Sequence, residues 1–128
     1  LYTQTLTDSE RILGPDHPDT LTSRNNLAYT YQAAGDLGRA IPLYTQTLTD
    51  RQRILGPDHP DTLTSRNNLA LALWGDAQPH EARLVMGEAA GTAHRAHGPD
   101  HPLTQALLAN YEAMTKALED DEETGDVR

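Results

Sequence analysis

The feature that most constrains this chain is that it repeats itself. Residues 1–28, LYTQTLTDSERILGPDHPDTLTSRNNLA, recur at 43–70 with two differences: Ser9 and Glu10 stand where Arg51 and Gln52 stand in the second copy. A third, weaker copy keeps the offset of 42 residues. Gly14, Gly56 and Gly98 share that spacing, as do His17, His59 and His101, and Asn26, Asn68 and Asn110. A unit of this size cannot bury its apolar face alone, and stacking on its neighbours is what supplies a core. The sequence therefore predicts an array in which each unit touches mainly the next.

Within a unit the apolar spacing is helical. Leu21, Leu27, Ala28 and Tyr31 fall on one stripe, and Gly35 with Asp36 makes a turn. Ala40, Ile41, Tyr44, Leu48 and Leu55 form a second stripe, closed by Gly56 as C-cap. Pro42 is awkward inside a helix and is expected near its first turn or at a kink. In the connecting GPDHPDT, Gly14 can take the left-handed conformation and Pro15 stops the helix. Asp16 is the expected cap of the next helix, as are Asp58 and Asp100 in theirs, with Pro18 in the first turn and Asp19 adding favourable charge. No segment alternates with period two, so no strands are expected.

The predicted helices span about 1–13, 18–34, 37–55, 60–75, 79–97 and 102–119, an all-α architecture. Residues 1–118 form the array: an orphan second helix at 1–13, repeats at 18–55 and 60–97, and a terminal helix at 102–118. The opening at Leu1, mid-helix and without Met, reads as a piece of a longer protein. Residues 119–128 begin with an acidic run, Glu119 to Glu123, and read as a solvated, disordered tail.

Charge and composition exclude several functions. Ten Lys+Arg against 19 Asp+Glu give a net charge of -9, which repels nucleic acid and anionic membrane. The absence of Cys removes disulfides, thiolate zinc sites and cysteine nucleophiles. No apolar run approaches the roughly 18–20 residues of a membrane span. There is no Gly-rich phosphate loop, GxSxG elbow or HExxH motif, and the carboxylates recur with the loops instead of converging on one cleft. The chain reads as no enzyme, with no cofactor. His17, His59 and His101 lie in equivalent loops, a helix pair apart and so beyond roughly 10 Å, whereas a metal holds its ligands at about 2 Å. His94, His97 and His101 cluster in HRAHGPDH, where capping and packing are the expected roles, not metal binding.

The segment NNLAYTYQAAGDLGRAIPLYTQTLTD resembles the tetratricopeptide repeat: Leu27, Ala28 and Tyr31 match its first helix, Gly35 its turn, and Ala40 and Tyr44 its second helix. Thr47 stands where a small Ala is more usual, and Arg24 where that family often has Trp. The 42-residue period, with HPDT…NNLA, is similar to the kinesin-light-chain type of repeat. The third unit departs from the pattern. Met86 replaces Tyr44, Ala77 replaces Gly35, and Leu108, Ala109 and Tyr111 replace Arg66, Asn67 and Leu69, an erosion that suits a terminal repeat. The resemblance implies a right-handed α-α superhelix of about six antiparallel helices and a protein- or peptide-binding scaffold. It also implies a cytoplasmic protein, and nine Arg among ten basic residues suit a bacterial source.

Candidate binding residues follow from helix geometry. Leu27 and Ala28 belong to the buried stripe, so Asn25 and part of Asn26 point away from it, towards the concave groove that stacked first helices would line. Asn25, Asn26, Asn67, Asn68 and Asn110 offer amides that both donate and accept, as a peptide backbone requires. The competing reading is that one Asn of each pair bonds to the neighbouring helix and locks stacking. Tyr29, Leu71 and Trp74 are candidate apolar anchors. Arg24 and Arg66 either meet an acidic ligand or pair with a carboxylate of an adjacent helix. In tetratricopeptide repeats, polar residues matching these positions contact peptide ligands. The alternative to a peptide-binding module is a structural spacer that self-associates as a homo-oligomer through exposed array ends.

Overall fold

The computed structural model describes residues 2–127, with side chains described for residues 4–122. Six helices follow one another: α1 (Tyr2–Leu13), α2 (Pro18–Ala33), α3 (Leu37–Leu55), α4 (Pro60–Gly75), α5 (Pro79–His97) and α6 (Pro102–Val127). Each packs chiefly on its sequence neighbours, α1 on α2 through to α5 on α6. This nearest-neighbour arrangement is what a stacked repeat produces. The first helices of successive units are α2, α4 and α6, and the second helices are α1, α3 and α5.

The turns explain why the helices stop where they do. Gly14, Gly56 and Gly98 carry φ of 91°, 94° and 91°, a region closed to most side chains, and each ends a second helix. The shorter turn inside a unit uses Gly35 at φ 82° in one copy and Ala77 at φ 59° in the next. The capping residue differs from expectation. His17 and His59, not Asp16 and Asp58, are the N-caps: their Nδ1 atoms accept from the Asp19 and Asp61 amides at 3.1 and 3.0 Å. His101 likewise accepts from the Leu103 amide at 3.1 Å, so Asp100 is not the cap either. Pro at the first helical position holds the preceding residue extended, with His17 at φ −66°, ψ 139°, and only that residue's side chain reaches the second helical amide. Asp16 sits one residue too early and pairs instead with Arg53 at 2.7 Å.

The core is built of small side chains where helices touch and larger ones between them. Ala28, Ala40, Ala70, Ala72, Ala82, Ala89 and Ala93 are fully buried, and Tyr44, Leu63, Leu69, Leu73, Met86, Leu107 and Met114 fill the spaces they leave. Burying each of the larger side chains contributes about 1.5–3 kcal/mol. Leu55, placed on the buried stripe from its spacing, is instead exposed at the end of α3. Pro42 lies just past the first turn of α3, near where it was expected; it forgoes one early backbone bond.

The end of the array also departs from expectation. Glu119 occupies the position of Gly35 and Ala77, yet α6 continues as helix through Val127, past the helix end expected at 119. No proline interrupts the segment, and Glu is a strong helix former, so nothing local forces the turn that Gly35 makes. Among the described residues no helix is long and apolar enough to cross a membrane.

Candidate functional site

The candidate residues occur on α2, α4 and α6, and their first surprise is how they pair. Asn68 Nδ2 donates to Asn25 Oδ1 at 3.1 Å, and Asn110 Nδ2 donates to Asn67 Oδ1 at 2.9 Å. Each bond joins the second Asn of one unit to the first Asn of the unit before it, so two equivalent rungs link the three first helices. All four residues are half-buried. Each rung engages one polar group of each amide. Asn25 Nδ2 and Asn68 Oδ1, and likewise Asn67 Nδ2 and Asn110 Oδ1, have no further partner among the described residues. Each rung thus still offers one donor and one acceptor. The inter-unit bond that the sequence offered as one reading is therefore present at both rungs, and it leaves half of each amide's hydrogen-bonding capacity unused.

Asn26 is exposed and its side chain makes no hydrogen bond among the described residues. Tyr29, on the same helix, is also exposed. Beside the second rung lies a pocket of about 320 Å³ walled by Leu71, Trp74, Asn110, Ala113, Met114 and Ala117. Its lining is almost wholly apolar, and Leu71 is exposed at its edge.

The two arginines do not join this site equally. Arg24 is buried, 2% exposed, and its Nη1 bonds Asp50 Oδ2 of α3 at 2.6 Å. A guanidinium so placed is a structural ion pair, not a group open to a ligand. Its counterpart Arg66 has lost that partner, because Thr92 stands where Asp50 stands. Arg66 Nη1 lies 3.9 Å from Glu88 Oε2, and its buried Nε has no hydrogen-bond partner.

Sequence reasoning missed a polar cluster near the end of the array. Arg83 Nε donates to Thr115 Oγ1 at 2.8 Å, Arg83 Nη2 donates to Tyr111 OH at 3.1 Å, and the guanidinium lies 5.2 Å from the Tyr111 ring centre. Ile41, Leu69 and Leu73 hold these positions one unit earlier, so the signal lay in three coordinated apolar-to-polar exchanges. Tyr111 packs directly over Gly87, where an added Cβ would sit 2.8 Å from the ring. The α5–α6 crevice beside it, about 720 Å³, is lined by Leu84, Gly91, His94 and Leu108 among others. The histidines are engaged locally: His97 Nε2 lies 2.7 Å from the Asp58 carbonyl, and its ring is 5.2 Å from that of His101. Among the described residues no group of three or more His, Asp or Glu is placed to hold a metal.

The family model for the tetratricopeptide repeat matches residues 1–19, 20–61 and 62–103. No curated protein sequence matches the chain. Among solved structures, the nearly identical TPR-like repeats assigned to a kinesin light chain of Podosopora anserina superpose with a TM-score of 0.82 at 25% identity, over 95% of this chain and 58% of that one. A single-substitution variant of that protein gives 0.82 at 24% identity, over 95% of this chain and 57% of the other. BtubC (BKLC) from P. vanneervenii gives 0.82 at 20% identity, over 98% of this chain and 50% of that one. The chain thus spans little more than half the length of these structures. Family match and fold agree with the two-helix repeat read from the sequence, and the chain belongs to the tetratricopeptide repeat family, whose arrays are protein–protein interaction modules.

Proposed function

We propose that this chain binds an extended peptide, or an extended segment of a partner protein, in the groove lined by α2, α4 and α6. The observation that carries the reading is the pair of Asn rungs with a free donor and a free acceptor each, set beside the apolar pocket of Leu71, Trp74 and Met114. An extended backbone alternates N–H and C=O groups and can satisfy such amides without regard to side-chain identity. The pocket then supplies selectivity by accepting one apolar side chain, and aromatic anchors of this kind dominate binding energy at interfaces. Tyr29 and Asn26 extend the surface along α2. Arg24 belongs to the scaffold. The chain acts by binding and not by catalysis.

The test is a displayed-peptide screen against the chain and against an Asn67→Ala/Leu71→Glu/Trp74→Glu variant of verified helicity. Peptides enriched by the chain and lost by the variant support the groove. Equal enrichment by both proteins, or none by either, overturns it.

A further inference from the structure

The Arg24–Asp50 pair has a third member, and the second unit keeps the bases while losing the acid. Asp50 serves two guanidinium groups at once. Its Oδ2 accepts from Arg24 Nη1 of α2 at 2.6 Å, and its Oδ1 accepts from Arg53 Nη2, one turn on in α3, at 3.4 Å. The second unit retains both bases, as Arg66 on α4 and Arg95 on α5, but Thr92 replaces the carboxylate between them. One hydroxyl supplies neither the charge nor the second acceptor oxygen. Arg95 Nη2 donates to Thr92 Oγ1 at 3.3 Å, and Arg95 has no ion pair among the described residues. Arg66 makes no hydrogen bond among the described residues: its Nε is buried without a partner, and Glu88 Oε2 stands 3.9 Å from its Nη1, beyond hydrogen-bond reach.

The position of the two arginines in the stack does not explain this difference. Arg24 and Arg66 have equivalent neighbours: a second helix before, a second helix after, and the next first helix across an Asn rung. The difference comes from the residues of α5, Thr92 above all. The Arg66 side chain is 16% exposed against 3% for Arg24, so it is largely desolvated but keeps an open edge towards Glu88. A buried polar group without a protein partner calls for an ion or water to satisfy it. Guanidinium groups that share one carboxylate in the first unit suit the same planar, two-oxygen anion in the second. The net charge of -9 works against polyanions, but it is screened beyond about 8 Å at physiological salt, so direct contacts govern a small anion. Glu88, 63% exposed, is the competing charge, and it is solvated enough to turn aside.

We infer that Arg66 and Arg95 form a site for a small carboxylate anion, an acetate-sized group that sits beside Thr92 and bridges the two guanidinium groups as Asp50 bridges Arg24 and Arg53. The counter-charge that the first unit carries within its own chain is supplied in the second from solution. The site lies between α4 and α5 and is independent of the proposed peptide groove.

The experiment follows thermal unfolding of the full chain by Trp74 fluorescence in sodium acetate, against sodium chloride of equal ionic strength. The expected result is an acetate-specific rise in melting midpoint that saturates, reaching about 5 °C at a tenfold excess over Kd, where the folding equilibrium shifts about elevenfold. Thr92→Asp restores the internal carboxylate and should abolish the acetate effect. Arg95→Gln, at an exposed position, should raise the half-saturating acetate concentration about tenfold, and Glu88→Gln should lower it. Circular dichroism verifies that each variant is folded. No acetate-specific rise up to about 100 mM overturns the inference. So does a rise that Thr92→Asp and Arg95→Gln leave unchanged, which would be a general salt effect. A saturating rise in sodium phosphate with none in acetate overturns the carboxylate assignment.

Discussion

Removing the Asp50 carboxylate should be among the most damaging single changes available in this chain. Asp50→Ala leaves the Arg24 guanidinium, 2% exposed, without its counter-charge at 2.6 Å. Breaking a buried pair by removing one partner costs about 3–5 kcal/mol, because the other charge stays desolvated. A folded chain of 128 residues has a total stability of roughly 6–19 kcal/mol, so this is a large fraction of it. The expected fall in melting midpoint is about 10–20 °C. The compensating double variant Arg24→Leu/Asp50→Ala should recover most of the loss, since an apolar replacement of a whole buried pair is often neutral. The chain carries its own control. Thr92 already replaces the Asp in the second unit, and Arg66, 16% exposed, has only Glu88 3.9 Å away as a counter-charge. Arg66→Leu should therefore change stability by less than about 1 kcal/mol. Urea unfolding followed by circular dichroism reads all four proteins. A cost below about 1 kcal/mol for Asp50→Ala, or a double variant no more stable than that single one, would refute the reasoning.

Three further outcomes are expected. His59→Ala should destabilise the α3–α4 junction by about 1 kcal/mol and His59→Asn should not, because Asn also presents a cap acceptor; hydrogen exchange at the start of α4 reads this. Gly87→Ala should displace the Tyr111 ring and cost about 1–3 kcal/mol, visible as lost protection at the α5–α6 interface. Burial pushes the Tyr44 hydroxyl up to about 12 from 10, with a smaller push from Tyr29. Between those values the unfolded chain has released the proton and the native state keeps it, so stability falls as pH rises from 10 to 12, by about 2–3 kcal/mol in all. Denaturant titrations across that range should show the slope in the parent, and Tyr44→Phe should flatten it.

The helices were legible because their punctuation is chemical and local. Gly14, Gly56 and Gly98 accept a backbone conformation that other residues resist, and the repeat fixed the register three times over. The cap was misread because His is an uncommon choice there, and the decisive constraint was the position just before Pro18, not the acidity of Asp16. The contacts of the candidate site were less visible. Asn25 and Asn68 are 43 residues apart, one more than the period, and no within-helix spacing reveals a bond made across neighbouring units. The burial of Arg24 depends likewise on where α3 brings Asp50. Polarity alone could not separate Arg24 from Asn25 one residue later. The end of α6 was misplaced because an acidic run reads as solvated, whereas helix formation by Glu requires no packing.

Trp74 is the only tryptophan in the chain and forms part of the pocket wall beside the Asn67–Asn110 rung, so its fluorescence reports directly on the proposed groove. Titration with a screen-selected peptide carrying one apolar anchor should shift and saturate the Trp74 emission. Asn67→Ala should weaken that binding about tenfold, the loss of one hydrogen bond to the ligand backbone. A peptide that binds by calorimetry yet leaves Trp74 emission unchanged, and binds Asn67→Ala equally well, would place recognition elsewhere and contradict the account.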